Sequence, residues 1–322
     1  MTHTNTAPGP LAESVVDYIL RITYEIWEQR GIDRIRDYYS ADGPIYALAG
    51  VTRGAEVVVD GTRAMLDAFP DRILVGDDVV WSGTLTAGYS SHRIISTMTH
   101  RGDGPLGPPT GRQARILTIA DCLIEDGIIV REWLFRDQVS LVRQLGLDPV
   151  VVATTVRRGQ TNETRDWLAA ERARLHAGGE HVDHPDTAWI VDTLHALLVT
   201  GDRDKVATSH AEFAALHAAG DDLKSGREPL ERHYADLRRA FQLDHLSVDH
   251  VMTLDERADG QTVAVRWTAC GEHVGDYLGL PATGRPVLIG GSTHWRRWNG
   301  RIIVEWTVFD GVGVLAQLVD PA

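Results

Sequence analysis

The spacing of apolar residues changes from a helical to a strand period along the first half of the chain. Between positions 11 and 30 apolar residues recur every three or four residues and Gly31 follows, which predicts an amphipathic helix that ends there. Positions 56–69 predict a second helix. Runs rich in β-branched and aromatic residues then predict strands at positions 73–81, 89–100, 112–124 and 128–135. The coarse pattern is two helices followed by a series of long strands.

The chain contains an internal repeat. The segment HRGDGPLGPPTGR near position 105 reappears as HVGDYLGLPATGR near position 278, at an offset of 173 residues. With that offset, 16 of the 46 positions from His100 to Leu145 are identical, where about three would be expected by chance. The identical pairs include Glu132 with Glu305, Trp133 with Trp306, and Asp137 with Asp310. We therefore expect two homologous domains in tandem.

Length and composition agree with two globular domains. The chain has 322 residues, of which 43% are hydrophobic and 24% are charged, and a single hydrophobic core seldom grows to that size. We expect an N-terminal tail at 1–10, a first domain at 11–149, a linker with a helix at 150–186, and a second domain at 187–322.

The net charge and the absence of certain sequence motifs argue against several classes of binding partner. A net charge of −13 argues against nucleic acid. No apolar run approaches the roughly 20 residues that cross a bilayer, and the N-terminus lacks a signal-peptide pattern, so we expect a cytoplasmic protein without a membrane partner. Neither a CxxC pair nor a phosphate-binding glycine motif occurs, and three linker histidines lack a fourth ligand. We therefore expect no metal and no cofactor.

Two dipeptides, Asp126-Gly127 and Asn299-Gly300, predict two-residue hairpin turns. Strict alternation from these turns predicts a pocket face in each repeat. In the first repeat that face holds His92, His100, Arg131, Trp133 and Asp137, and in the second it holds Trp267, His273, Trp295, Trp306 and Asp310. On the outer face we expect two ion pairs, Arg93 with Glu132 and Arg266 with Glu305.

These motifs resemble a known family. The pattern H-x-G-x-x-x-G-x-P-x-T-G-R, followed by E-W-x-x-x-D and a closing Q-L-G, is similar to the SnoaL-like polyketide cyclase family of the nuclear-transport-factor-2-like superfamily. Both repeats carry it, with small departures: the first has its middle glycine one residue late, at Gly107, and the second ends in Gln317-Leu318-Val319. The resemblance covers most of the chain apart from the tail and the linker.

The resemblance implies a fold and a chemistry. The fold would be α+β, with two tandem cone-shaped barrels, each a curved antiparallel sheet wrapped on helices around a pocket. Cyclases of this family close a polyketide ester ring by an intramolecular aldol reaction without a cofactor, using an acid that matches Asp137 and Asp310. The histidine of the motif matches His100 and His273. Independently of the resemblance, the predicted pocket faces supply the expected substrate-binding residues Trp306, Trp295, Trp267, Trp133, Arg131 and His92.

Each of these residues also has a structural interpretation. Asp137 and Asp310 precede a helical pattern and are good N-cap residues, which does not exclude catalysis. The histidines can be satisfied structural residues beside a glycine-rich loop, and the tryptophans can belong to the core.

The expected function is a cofactor-independent enzyme that abstracts a proton from a small hydrophobic carbonyl compound, as a cyclase or a related lyase or isomerase. The alternative is a non-catalytic ligand-binding or assembly protein. In both cases we expect an intramolecular pseudo-dimer packed through its sheets, open to further homo-oligomerisation. Trp295 and Val304 replace Cys122 and Arg131 in the second repeat, which predicts a more apolar second pocket with Asp310 as the stronger base.

Overall fold

Two six-stranded sheets with the same topology organise the chain. The computed structural model describes residues 13–218, 222–255 and 260–320, so the predicted tail at 1–10 lies outside the described residues. The strand orders are β2-β1-β6-β5-β4-β3 and β8-β7-β12-β11-β10-β9. The β1–β6 and β7–β12 pairings are parallel and all other pairings are antiparallel. The predicted α+β class with two tandem cone domains is confirmed.

The first half contains six strands and the helices that cover them. In chain order these are α1 (Val15–Thr23), a π-helical turn (Tyr24–Glu28), a 3₁₀ turn (Ile32–Arg34), α2 (Ile35–Tyr38), β1 (Pro44–Ala47), β2 (Gly50–Arg53), α3 (Gly54–Ala68), β3 (Ile73–Gly83), β4 (Ala87–Thr99), β5 (Gln113–Glu125), β6 (Ile128–Arg136) and α4 (Gln138–Gln144).

Two helices join the halves, and the second half then repeats the order. The joining helices are α5 (Pro149–Gly159) and α6 (Asn162–His176). They are followed by α7 (Thr187–His195), a π-helical turn (Ala196–Thr200), α8 (Arg203–Ser209), β7 (His210–Ala218), β8 (Asp222–Ser225), α9 (Arg227–Ala240), β9 (Phe241–Leu254), β10 (Gln261–His273), β11 (Pro286–Trp298), β12 (Arg301–Phe309) and α10 (Gly311–Leu318).

The predicted elements match the observed ones closely where the pattern is long. The first predicted helix is α-helical up to Thr23 and continues as a π-helical turn to Glu28. The four predicted strands correspond to β3 to β6. The pattern did not predict β1 and β2, because four residues are too few to show a period.

Both predicted hairpin turns form, but a bulge follows each of them. Asp126 and Gly127 both have positive φ, +47° and +75°, as a type I′ turn requires. Ile124 pairs with Ile129, but Leu123 pairs with Arg131, so Val130 is an extra residue. The same shift occurs after Asn299-Gly300, where Arg297 pairs with Ile302 and Arg296 with Val304. A bulge reverses which face the later residues occupy, so the predicted pocket faces of β6 and β12 were wrong.

The convex faces of the two sheets pack against each other. Arg93 of β4 lies over the ring of Trp306 at 3.8 Å, and its repeat partner Arg266 lies over the ring of Trp133 at 3.5 Å. Both contacts cross between the domains and mirror each other. The expected ion pairs of these arginines with Glu132 and Glu305 were therefore wrong, because both glutamates face the concave sides.

Polar side chains also take part in this contact. The hydroxyl of Ser91 donates to Asp121 and lies 2.7 Å from Nε2 of His294 in the other domain. Arg93 donates to Asp77 at 2.6 Å. Burial raises the pKa of Asp121 to about 6.

Candidate functional site

A cavity of about 510 Å³ occupies the first cone, a volume within the usual range of small-molecule sites. Side chains of α1, α3 and the concave sheet face surround it. Most of the lining residues are apolar, among them Ile19, Ile22, Leu74, Ile94, Ala120 and Leu134. Its ionisable lining residues are Tyr39, Arg72, His92, Cys122, Glu132 and Arg136.

Glu132 is the buried acid of this cavity. The bulge at Val130 turns it to the concave face, opposite Cys122 on β5. It is 6% exposed, and the Tyr39 hydroxyl donates a hydrogen bond to it. Burial raises its pKa, an effect opposed by the nearby Arg136 and by that hydrogen bond. A carboxylate held in this way can act as a general base or acid.

His92 lies on the same wall, two strands away on β4. Its row runs from His92 through Ala120 to Leu134, next to the row of Glu132. Burial lowers the pKa of His92 to about 4, so the ring is neutral at pH 7. Nε2 is buried and has no hydrogen-bond partner within the described parts of the chain. A neutral imidazole can offer either a donor or an acceptor to a ligand.

Two arginines line the cavity near its β3 and β6 ends. Arg136 follows Glu132 by four residues, with Leu134 between them on the same face of β6. Arg72 immediately precedes β3 and is 7% exposed. Burial lowers the pKa of Arg72 to about 9, and the positive charge of Arg136 adds to this.

The corresponding space in the second cone is filled by side chains. At repeat positions where the first cone has Thr62, Ile94 and Cys122, the second has Tyr234, Trp267 and Trp295. All three large side chains are at most 1% exposed. A Cβ on Gly291 would lie 2.4 Å from the Trp267 ring. Only glycine at this position leaves room for the ring.

Glu305, the repeat partner of Glu132, accepts hydrogen bonds from the side chains that surround it. Nε2 of His210 donates to it at 3.1 Å, the Trp295 indole N–H donates at 3.0 Å, and the Tyr234 hydroxyl also donates. These hydrogen bonds hold the pKa of Glu305 below its usual value against the opposing effect of burial. The same residue therefore faces a cavity in one cone and is held by hydrogen bonds inside the core of the other.

Known proteins agree with this duplicated architecture. The family model described as SnoaL-like polyketide cyclase matches two regions, residues 18–145 and 188–318. The chain belongs to this family. It carries one SnoaL-like domain in each half, and no curated protein matches it.

Solved structures of similar length to one half are also similar. IdmH from Streptomyces antibioticus is 25% identical, with 42% of this chain and 99% of that chain covered, at a TM-score of 0.36. TsrD from Streptomyces laurentii is 21% identical over 43% of this chain and 98% of that chain, at a TM-score of 0.36. A SnoaL-like polyketide cyclase from Agrobacterium tumefaciens is 20% identical over 42% and 99%, at a TM-score of 0.35.

In both SnoaL-like domains the predicted catalytic aspartates cap helices. Asp137 accepts the Ser140 N–H at 2.9 Å at the start of α4, and Asp310 accepts the Gly313 N–H at 3.0 Å at the start of α10. Burial raises the pKa of Asp310 to about 6. Neither carboxylate is among the residues that line the first cavity. Their catalytic role stays a prediction.

The motif histidines hold the glycine-rich loop of each SnoaL-like domain. The Nδ1 atom of His100 accepts the Thr110 N–H at 3.3 Å, and Nδ1 of His273 accepts the Thr283 N–H at 3.3 Å. The ring of His100 stacks on Phe69 at 5.0 Å. Neither histidine lines the first cavity, so the predicted convergence with the aspartates on a pocket wall does not occur there.

The predicted substrate-binding residues fall into three groups. His92 lines the first cavity. Trp133, Trp306 and the exposed Arg131 lie on the convex side, where the Arg131 guanidinium is 5.7 Å from the Trp133 ring. Trp267 and Trp295 do face a concave surface, but they fill it. The expectation of an open, apolar second pocket around Trp295 was therefore wrong.

Sequence reasoning missed Glu132, Arg136, Arg72 and Tyr39. Glu132 is identical between the repeats but was assigned to the outer face, and Arg72 and Tyr39 lie outside the motifs. Within the described residues, no group of three or more His, Cys, Asp or Glu side chains could hold a metal ion. In the same part of the chain no helix is long and apolar enough to span a membrane.

Proposed function

We propose that the first SnoaL-like domain is an acid/base catalyst that abstracts a proton from a carbon next to a carbonyl group in a hydrophobic substrate. The reaction would be an intramolecular aldol cyclisation or a related isomerisation, and it needs no cofactor. The proposal rests on one observation: Glu132 is a buried acid on the wall of a largely apolar cavity. Membership of the SnoaL-like polyketide cyclase family supports this reaction class.

The side chains around Glu132 suit each step of such a reaction. The Glu132 carboxylate would take the proton from the substrate carbon and leave an enolate. The Arg136 guanidinium would stabilise the negative charge of the enolate, and the neutral His92 ring would hydrogen-bond a second polar group of the substrate. In a cyclisation, the enolate carbon forms a bond to a second carbonyl carbon, and the resulting alkoxide takes the proton back from Glu132. Atoms and charge balance without an oxidant.

We propose a supporting role for the second SnoaL-like domain. Its interior is occupied by Tyr234, Trp267 and Trp295, and its glutamate already accepts from four side-chain donors. A substrate would have to displace these side chains and break these hydrogen bonds. This domain would contribute stability and hold the convex face of the first.

Glu132→Gln tests the catalytic proposal, with Glu305→Gln as the matched control at the repeat position. The probes are β-keto esters and longer poly-β-ketone esters, each tested beside its free acid, in deuterated buffer, and mass spectrometry follows cyclised product and deuterium uptake. Loss of a positioned general base should lower turnover by roughly 100- to 10,000-fold, whereas Glu305→Gln should keep the turnover of its folded fraction. Equal turnover in Glu132→Gln and wild type would refute the assignment. A rise in melting temperature with these probes, without turnover by wild type, would identify a binding protein instead.

A further inference from the structure

Arg72 is a buried cation that faces the first cavity without an anion to match it. Its Nη2 donates to the Ser96 hydroxyl at 3.4 Å, a long contact. Its Nε is buried and has no hydrogen-bond partner in ranges 13–218, 222–255 and 260–320. A buried polar atom without a partner costs free energy unless a ligand or water satisfies it. Arg72 lines the cavity, so a ligand there can supply the missing hydrogen-bond partner.

The neighbouring charges increase this mismatch. Arg136 and Arg30 are the nearby cations, and Glu28 is the acid that partly offsets them. Glu28 already accepts the Leu74 N–H at 2.8 Å, and it makes no ion pair with Arg72 within the described residues. Two guanidinium groups therefore line the same largely apolar cavity, and the charge of Arg136 acts unfavourably on Arg72.

The carboxylates that face Arg136 do not reach Arg72. Glu132 and Asp310 both act on Arg136 electrostatically. Asp310 belongs to the second domain, and its oxygens already accept backbone N–H groups of Gly313 and Ala49. An additional anion between the two arginines would give Arg72 its missing partner and relieve the repulsion between the two cations.

We propose that the ligand of this cavity carries a carboxylate, which Arg72 and Arg136 bind together while the hydrophobic body lies along the apolar wall toward Glu132. The substrate class would be a hydrophobic keto acid rather than a neutral ester. This inference rests on the proposed function, because it takes the same cavity as the active site. Guanidinium groups match a carboxylate with paired, charge-assisted hydrogen bonds.

Calorimetric titration with decanoate and with 1-decanol tests the charge preference directly, since the two probes share a chain and differ in the head group. Wild type should bind decanoate tightly and 1-decanol weakly. Arg72→Met should weaken decanoate binding by about 30-fold or more, as expected when one partner of a buried charge pair is lost, and should leave 1-decanol binding nearly unchanged. Arg63→Met is the matched control, because Arg63 is exposed on α3 and pairs with Asp33; it should bind as wild type does. Equal affinity of wild type for the two probes would overturn the proposal.

Thermal unfolding separates a binding role of Arg72 from a structural one. If Arg72 awaits an anion, Arg72→Met should leave the melting temperature of the ligand-free protein unchanged or higher, and Arg72→Lys should recover part of the decanoate affinity. The proposal would be refuted if ligand-free Arg72→Met melted at a lower temperature and its folded fraction kept the wild-type affinity for decanoate. Arg72 would then stabilise the fold without binding the ligand. These results are distinguishable from failure of the catalytic proposal, because Glu132→Gln should still bind decanoate even where it has no effect on turnover.

Discussion

The two cones share a topology and a glutamate at the same position, yet the environment of that glutamate differs. In the first cone Thr62, Ile94 and Cys122 are small enough to leave a cavity in front of Glu132. In the second, Tyr234, Trp267 and Trp295 occupy that space, and two of them donate hydrogen bonds to Glu305. Side-chain volume at three positions therefore decides whether the same acid faces a cavity or the core.

The difference extends to the pKa of each glutamate. Burial is the largest influence on both residues and acts in the same direction. In the second cone the hydrogen bond and the charge of His210, with the hydrogen bonds from Tyr234 and Trp295, outweigh it and lower the pKa of Glu305. In the first cone Arg136 and the Tyr39 hydrogen bond do not outweigh it, and the pKa of Glu132 rises. Hydrogen-bond donors, more than depth of burial, set the difference between the two acids.

The largest expected effect comes from filling the first cone as the second is filled. Cys122→Trp places an indole where the second cone has Trp295, and it should abolish both turnover and decanoate binding because the ring occupies the cavity. Far-ultraviolet circular dichroism checks that the variant folds, and Cys122→Ala is the control that keeps the space open. Retained decanoate affinity in a folded Cys122→Trp protein would show that the ligand binds elsewhere.

Removal of the corresponding ring from the second cone should lower the stability of the protein and leave its turnover unchanged. Trp295→Cys removes a fully buried ring and one donor to Glu305, so we expect a loss of about 3–5 kcal/mol in the free energy of unfolding, as for other large-to-small changes at buried aromatic residues. Urea unfolding measures it. Turnover per folded molecule should stay near the wild-type value. A loss of turnover in folded Trp295→Cys would indicate that the second cone takes part in the reaction.

The two glutamates should contribute to stability with opposite dependence on pH. The pKa of Glu305 is lowered by folding, so its stabilising effect is present above the unfolded-state pKa and is lost as pH falls through the folded-state value. The pKa of Glu132 is raised, so its ionisation penalises folding as pH rises from the unfolded-state pKa through the folded-state one. Urea unfolding of wild type, Glu132→Gln and Glu305→Gln as a function of pH should give differences from wild type with opposite slopes. Slopes of the same sign would contradict the assigned environments.

The smallest expected effect distinguishes capping from catalysis at Asp137. Asparagine caps a helix about as well as aspartate, whereas alanine costs roughly 1 kcal/mol. If Asp137 only caps α4, Asp137→Asn should match wild type in both melting temperature and turnover, and Asp137→Ala should lose stability alone. A fall in turnover of 100-fold or more in Asp137→Asn, at unchanged melting temperature, would restore this residue as the general base.

The sequence predicted most of the fold because the informative signals were long or repeated. The duplication, the four long strands and both hairpin turns needed only residue spacing and the Asp-Gly and Asn-Gly dipeptides. The candidate site was harder to predict, because one extra residue, Val130, exchanges the two faces of β6. Nothing in the apolar run at 128–130 distinguishes a bulge from regular pairing.

The sequence contains one sign that the second cone is filled, namely a tryptophan where the first repeat has a cysteine. From the sequence alone, Trp295 in place of Cys122 predicts a more apolar pocket, whereas in the structure the volume of the buried ring closes that pocket. Arg72 could not have been identified from the sequence, because a single arginine before a strand is ordinarily exposed. Only the three-dimensional structure shows that it turns into the cavity.

The reciprocal contacts of Arg93 and Arg266 with the tryptophans of the opposite domain have a genetic consequence. In an association of two identical chains, every codon change appears in both copies, so a pocket cannot be opened in one subunit and closed in the other. Tandem fusion removes that constraint, because the two domains are encoded separately, and it keeps the partner domain covalently attached. One copy can then drift toward rigidity under selection for folding, and the other can vary its interior under selection for chemistry.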